Sequence, residues 1–245
     1  MYNPFTLEGK NILVTGASAG IGRGIAISCS RMGACVYAIG RNADRLNETI
    51  CQMEGTGHKA VICDLTSRQD VAAFVSELPK LDGVVHCAGI GQRIPCKQLT
   101  ETDVDNLMDI NFKAPVLLQT ELLTQKRLNK GASVIFIASI ASWSPSTGNA
   151  VYSASKGALI SYAKCLGLEL APRQIRVNCI SSAMVWTELA TNDGMSIEEL
   201  KVDEERYPLK RYGQPEDIAH LAIYMLSDAS AWMTNSNVEI TGGGC

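Results

Sequence analysis

Two stretches of this chain bring together residue types that could do chemistry. Thr15-Gly16-Ala17-Ser18-Ala19-Gly20-Ile21-Gly22 spaces three glycines through one short turn. Glycine permits a tight turn and close backbone approach to a ligand. A helix starting there offers free N–H groups and a partial positive charge to a pyrophosphate. The spacing is G-x-x-x-G-x-G, not the G-x-G-x-x-G of the standard dinucleotide fingerprint. The second stretch is Tyr152-Ser153-Ala154-Ser155-Lys156. Side chains four residues apart on a helix share a face, so a phenol and an amine would stand together, the types a proton-transfer site needs. Of the seven tyrosines, Tyr152 alone has a lysine four residues on. By itself such a pair is more often an exposed helix face, but its context is unusual. Ser139, thirteen residues upstream, ends the strongly apolar run Val134-Ile135-Phe136-Ile137-Ala138. Asn111 sets an amide inside an otherwise amphipathic helix, Met108-Asp109-Ile110-Asn111-Phe112, at a modest propensity cost.

These residues need elements to position them, and the pattern of the chain supplies them. Short apolar runs at 11–15, 35–39, 59–63, 83–87, 133–138, 176–180 and 238–240 predict strands. Helical patterns at 21–32, 45–53, 70–78, 102–125, 151–170 and 216–226 lie between them. Strands spaced by helices imply parallel βαβ units, since a parallel pair needs a crossover. Repeated right-handed crossovers give a doubly wound parallel sheet of about seven strands, with helices on both faces. No linker, low-complexity tract or internal repeat interrupts residues 1–245, so a single α/β domain is expected. In such a sheet ligands bind outside the carboxyl ends of the strands, and the glycine turn and Ser139 both fall just after one.

Composition narrows the function. Nearly half of the 245 residues are hydrophobic and 21 are glycine, as in a globular enzyme. The net charge is −3 and no segment concentrates Lys and Arg, which argues against a nucleic-acid partner. No signal peptide is apparent, and no apolar run approaches the roughly 20 residues of a membrane span. A cytoplasmic location without membrane attachment is therefore expected. Nine cysteines form no C-x-x-C pair; Cys29, Cys35, Cys63, Cys87, Cys165 and Cys179 lie in or beside apolar segments and read as buried reduced thiols. Three scattered histidines have no metal-ligand spacing, and no metal site is expected.

Together, the TGxxxGxG turn, Ala88-Gly89, Asn111, Ser139 and the Tyr152/Lys156 pair resemble the classical short-chain dehydrogenases/reductases, in that family's order and over essentially the whole chain. Asp64 resembles the family's adenine-contacting acid. The segment Pro208-Leu209-Lys210-Arg211, with Gly213, Pro215 and Glu216, resembles its late turn and helix, and Gly242-Gly243 its C-terminal glycine pair. The resemblance implies an oxidoreductase moving hydride between a nicotinamide cofactor and a carbonyl or secondary alcohol. It assigns Asn111, Ser139, Tyr152 and Lys156 to catalysis, and Gly16, Ser18, Gly20, Ile21, Gly22, Arg41, Asp64, Ala88, Gly89, Tyr152, Lys156 and Thr187 to the cofactor. Tyr152 would exchange a proton with the substrate oxygen. A free phenol, with pKa about 10, is a poor base at neutral pH. An ammonium about 4 Å away, at an effective dielectric near 20, would favour phenolate by roughly 4 kcal/mol before desolvation. Lys156 would also hold the nicotinamide ribose, Ser139 would bond the substrate oxygen, and Asn111 would hold a water leading from Lys156 to solvent.

The sequence departs from the family in two places. His86-Cys87-Ala88-Gly89 stands where Asn-Asn-Ala-Gly is usual, and Ser182-Ala183 replaces Pro-Gly beside the nicotinamide site. Cofactor choice turns on the end of the second strand, Val36-Tyr37-Ala38-Ile39-Gly40-Arg41-Asn42. NAD-specific sites commonly place an acid there; here it is glycine followed by Arg41, whose guanidinium can grip a phosphate. NADP(H) is therefore expected in preference to NAD(H), although Ala19 occupies a loop position where many NADP-using relatives carry a second basic residue. The substrate is expected to be a small-molecule or acyl-thioester carbonyl compound, as for 3-oxoacyl-acyl-carrier-protein reductases and related carbonyl reductases. Alternatives are a sugar or polyol dehydrogenase of the same family, or a non-catalytic dinucleotide-binding redox sensor. The loop at about 185–210 would shape the choice; its acidic run at 198–205 reads as a solvated helix face. The family also implies a homotetramer built on the helices at 102–125 and 151–170, the latter carrying Ala154, Ala158, Leu159, Tyr162, Ala163 and Leu166.

Overall fold

The computed structural model describes residues 2–191 and 196–244; Met195 and the other residues of 192–195 in the expected substrate loop lie outside the described residues. Seven strands form one sheet: β1 (Asn11–Thr15), β2 (Cys35–Gly40), β3 (Lys59–Ile62), β4 (Leu81–His86), β5 (Leu128–Ser139), β6 (Arg176–Ser182) and β7 (Asn237–Ile240). Their order is β3-β2-β1-β4-β5-β6-β7, and every neighbouring pair is parallel. The helices are α1 (Gly20–Arg31), α2 (Ala43–Cys51), α3 (Arg68–Glu77), α4 (Glu101–Met108), α5 (Ala114–Thr124), α6 (Ala150–Leu170), α7 (Glu188–Thr191), α8 (Ile197–Glu204) and α9 (Pro215–Leu226). Among the described residues no helix is long and apolar enough to cross a membrane.

The continuous apolar runs follow from burial of both sheet faces. Successive side chains of β5 point to opposite faces. Val134, Phe136 and Ala138 pack with Leu118 and Leu122 of α5 and Leu159, Ala163 and Leu166 of α6. Ile135 and Ile137 face the other way, toward Ile25 and Ala26 of α1 and Ile218 and Ala222 of α9. The chain steps outward from β1 to β3, then returns to start β4 on the other side of β1, which opens a crevice at the carboxyl ends of β1 and β4. Thr15 closes the floor of that crevice: its Oγ1 accepts from the N–H groups of Cys87 and Ala88, each at 3.0 Å.

Three expectations are modified. The helix anticipated at 102–125 is broken by a π-helical turn, Asp109–Lys113, centred on Asn111. Pro115 has no N–H to bond the Asn111 carbonyl four residues earlier, and the wider turn absorbs the missing bond. The acidic run is only partly solvated: Glu204 accepts from Trp186 Nε1 at 2.6 Å and from the Tyr212 N–H at 2.9 Å, while Asp203 accepts from Tyr212 OH at 2.7 Å. The eight described cysteines are free, but only Cys29, Cys63 and Cys179 are fully buried; Cys35 and Cys87 are half-buried, and Cys165 faces outward from α6 with Cys51 and Cys96 also exposed.

The turn leading into α1 leaves no room at Gly22, where a Cβ would fall on the Gly16 carbonyl. Gly22→Ala must therefore shift backbone. It is expected to cost about 1–3 kcal/mol, lowering Tm by roughly 3–10 °C in a thermal melt; an unchanged Tm would show that the turn is not tightly packed.

Candidate active site

A groove of about 1120 Å³ runs along the carboxyl ends of the strands. Its cofactor end is built on the glycine turn. Gly16 has φ +68°, and a Cβ there would come within 2.9 Å of Ala88 Cα; one at Gly20, φ +53°, would meet Thr187 Cγ2 at 3.1 Å. The N-terminus of α1 has Ala19 as its cap, with no side-chain cap bond and no acid in the first turn. By contrast Asn42, Ser67 and Thr100 cap α2, α3 and α4 with their own side chains. The leading N–H groups of α1 are thus left for an anion. Arg23 braces the turn from behind, donating from Nη2 to the Ser18 carbonyl at 2.6 Å.

Every expected cofactor residue lines this groove: Gly16, Ser18, Gly20, Ile21, Gly22, Arg41, Asp64, Ala88, Gly89 and Thr187, with Tyr152 and Lys156 at the far end. Asp64 Oδ1 accepts from the Thr66 N–H at 3.0 Å and from Thr66 Oγ1 at 2.8 Å. Those bonds, with Arg41 nearby, hold its carboxyl below the usual range. Two residues that sequence reasoning missed stand across the groove. Arg45, in the first turn of α2, pairs through Nη1 with Glu188 of α7 at 2.7 Å. Arg45 was findable as a cation four residues after Arg41. A partner 143 residues away leaves no local signal.

At the other end of the groove, Ser139 closes β5 and Tyr152 and Lys156 stand one turn apart on α6. Lys156 is buried; its Nζ donates to the Ile137 carbonyl at 2.9 Å and lies 5.8 Å from the centroid of the Tyr152 ring. Burial pushes its ammonium down to about 8. The Cys87 thiol is itself pushed up to about 12 by burial and is neutral near pH 7. Ser139 Oγ accepts from the Ala141 N–H at 3.2 Å and donates weakly to the Ser182 carbonyl at 3.5 Å. Asn111 sits fully buried behind the groove. Its Oδ1 accepts from the Ile90 N–H at 2.8 Å; its Nδ2 donates to the Ile90 carbonyl at 2.9 Å and to Ser155 Oγ at 3.2 Å. The amide thereby joins the loop after β4 to α6. Ser182 extends β6 opposite Ser139 and Ile240. The chain beyond it is tied to Gly213, whose carbonyl accepts from the Trp186 N–H at 2.9 Å.

A family model described as Enoyl-(Acyl carrier protein) reductase matches residues 16–244. The 3-oxoacyl-acyl-carrier-protein reductase FabG of Rickettsia felis is 32% identical over 237 residues, covering 97% of each chain. The crystal structure of a dehydrogenase/reductase from Sinorhizobium meliloti 1021 has a TM-score of 0.90 and 31% identity, covering 98% of this chain and 96% of its own. The chain belongs to the classical short-chain dehydrogenases/reductases. Another structure of this family, provisionally described as an NAD(P)-dependent gluconate 5-dehydrogenase from Beutenbergia cavernae, holds NADP at low occupancy; its TM-score is 0.88 at 29% identity, and 98% of each chain is covered. The present short-chain dehydrogenase/reductase is accordingly an NAD(P)-dependent oxidoreductase.

Keeping a lysine charged in this site works against the stability of the short-chain dehydrogenase/reductase. With a folded pKa of about 8 against 10.5 for an ordinary lysine, the unfolded chain binds the extra proton between those values. The penalty is fully present below about pH 8 and is relieved as pH rises to about 10.5. A shift of this size is on the order of 3 kcal/mol, offset in the variant by loss of the Ile137 bond. Lys156→Met is therefore expected to raise Tm near pH 7 by about 2–6 °C, with a smaller gain at pH 10, while turnover collapses. A lower Tm at pH 7 would contradict the burial penalty.

Proposed function

We propose that this oxidoreductase is an NADP(H)-preferring reductase of small carbonyl compounds, with Tyr152 as its acid/base. The observation that carries the reading is the buried Lys156 ammonium beside Tyr152, at the end of a groove whose other end is an uncapped helix N-terminus. The nicotinamide cofactor, when bound, supplies or accepts the hydride. Tyr152 gives its proton to the substrate oxygen in reduction and takes it back in oxidation, and the Lys156 charge favours the phenolate left behind. Ser139 offers its hydroxyl to the same oxygen, stabilising the charge that develops there. Lys156 also holds the nicotinamide ribose, and Gly16 to Gly22, Ala88, Gly89 and Thr187 hold the rest. Asn111 acts as a positioning residue, since its amide is bonded to Ile90 and Ser155.

NADP(H) is favoured because Gly40 removes the carboxylate that would repel a 2′-phosphate, and Arg41 and Arg45 both line that end. Arg45, paired with Glu188, is a second basic residue at that end where Ala19 offers none. A homotetramer built on α4–α5 and α6 belongs to the same reading. It draws on the outward-facing Leu168 and Val104, because Leu159, Ala163 and Leu166 are already spent on the protomer's own core.

Tyr152→Phe removes the proton donor and leaves the ring in place. Turnover of a reducible ketone is expected to fall at least about a hundredfold, with the NADPH dissociation constant within about twofold of the parent; near-normal turnover would remove Tyr152 from catalysis. A charged hydrogen bond is worth roughly 1.5–3 kcal/mol. Arg41→Ala should therefore weaken NADPH about ten- to a hundredfold and leave NADH nearly unchanged in fluorescence titrations. A parent enzyme with higher kcat/KM for NADH than for NADPH would overturn the preference.

A further inference from the structure

Neither proton transfer nor cofactor binding accounts for an aromatic side chain in the groove. Trp186, Tyr207 and Tyr212 form a cluster, in which the Tyr207 and Tyr212 rings meet edge to face at 5.2 Å and those of Trp186 and Tyr212 lie 5.3 Å apart. Trp186 and Tyr212 spend their polar ends on Glu204 and Asp203. Of the three, Tyr207 alone lines the groove. Its side chain is pinned at two points. The phenol oxygen accepts from the Met184 N–H, and the ring lies against the glycines at 242–244. A Cβ on Gly244 would fall on the Cε1 edge of that ring, and one on Gly243 would come within 2.7 Å of Pro208 Cγ. The Gly242 carbonyl accepts from the Leu209 N–H at 3.2 Å, which fastens the glycines to the same turn.

The Met184 bond also fixes where along the groove the ring stands. Ser182 of β6 is paired with Ser139 of β5, on neighbouring strands about 4.8 Å apart. Met184 follows Ser182 by two residues, at most about 7 Å along an extended chain. Its carbonyl accepts from the Gly213 N–H at 3.0 Å, so the backbone that holds the phenol is itself held. Ile140 and Ala183, which directly follow the paired serines, line the groove with Tyr207. Leu189 of α7 lines it too and reaches the loop after β4, where a Cβ on Gly91 would meet its Cδ1 at 3.2 Å. Ser144, Ser146 and Asn149 add polar lining on the segment leading into α6, so the apolar residues form one part of the surface. A tyrosine ring favours a flat apolar partner, because ring pairs gain from stacked or edge-to-face contact beyond the area they bury. A short aliphatic group leaves most of that contact unmade.

We propose that Tyr207 is a specificity-determining residue: its ring packs against a flat apolar substituent on the ketone carbon, as in an aryl ketone, and the glycines at 242–244 set the position of that ring. The inference rests on the reductase reading. In the reaction, hydride from the reduced nicotinamide goes to the ketone carbon and the Tyr152 proton to its oxygen. The products are a secondary alcohol and the oxidised cofactor, with the aryl group unchanged. Tyr207 acts by contact alone.

The test compares acetophenone with 2-butanone, using NADPH and NADH, in the parent enzyme, Tyr207→Phe, Tyr207→Ala and Gly244→Ala. Steady-state kinetics are paired with calorimetric binding of acetophenone to the enzyme–NADP⁺ complex. The parent should favour acetophenone by about tenfold or more in KM. Tyr207→Ala should raise the acetophenone KM about ten- to a hundredfold, at least about tenfold more than it raises that of 2-butanone. Tyr207→Phe keeps the ring and should hold the ratio of the two KM values within about threefold of the parent. Gly244→Ala leaves Tyr207 in the chain but pushes on its ring; it should raise the acetophenone KM selectively, by about three- to tenfold, with NADPH affinity unchanged. Acetophenone that binds through Tyr207 in a parent that turns over neither ketone would support the aromatic wall and overturn the reductase reading. Equal KM for the two ketones in the parent, equal losses on both in Tyr207→Ala, or a selective loss in Tyr207→Phe as large as that in Tyr207→Ala would overturn the proposal.

Discussion

The site depends on keeping one ammonium out of water beside a phenol. Lys156 has lost nearly all contact with solvent, and one protein carbonyl, that of Ile137, receives its N–H bond. Burial alone would neutralise such a group, and its pKa has moved part of the way. At about 8 it still carries its proton near neutral pH. β5 must run far enough for the Ile137 carbonyl to reach α6, and α6 must be fixed in rotation so that Tyr152 and Lys156 both face the groove. The neutral Cys87 thiol adds no competing charge nearby. The family's usual amide at that position is absent, and a small apolar thiol suffices for packing.

Fixing α6 accounts for features that look unrelated in the chain. Pro115 forces a wide turn on the preceding helix, and Asn111 at its centre points inward to hold Ile90 and Ser155 together. The same clamp sets the path of the loop after β4. On the other side, Thr15 ties the end of β1 to Cys87 and Ala88, so the glycine turn and the catalytic end share one rigid floor. The capping pattern is consistent with this division. Helices α2, α3 and α4 satisfy their own N-termini with side-chain caps, whereas α1 leaves its leading N–H groups available.

What could be read from the sequence was local. The strands declared themselves because strands buried on both faces are continuously apolar, and the glycine turn and the Tyr152/Lys156 pair because their spacing is short. The π turn was hidden because helical periodicity survives it; Pro115 was visible, but its effect falls on a carbonyl four residues back. Glu204 and Asp203 looked solvated until Trp186 and Tyr212, brought near by the fold, used their carboxylates. Cys165 shares an apolar helix with buried residues, yet helix geometry turns it outward. The pairing of Arg45 with Glu188 depends on tertiary placement alone.

The proposal that the Lys156 charge favours the Tyr152 phenolate can be read directly from phenolate absorbance. The background is favourable: burial raises Tyr37, Tyr207 and Tyr212, and lifts Tyr162 to about 12. An ultraviolet titration of the folded protein should show one tyrosine ionising ahead of the other six. That step should vanish in Tyr152→Phe and move to higher pH in Lys156→Met. A titration in which no tyrosine ionises ahead of the rest, or an early step that survives unchanged in Lys156→Met, would contradict the account.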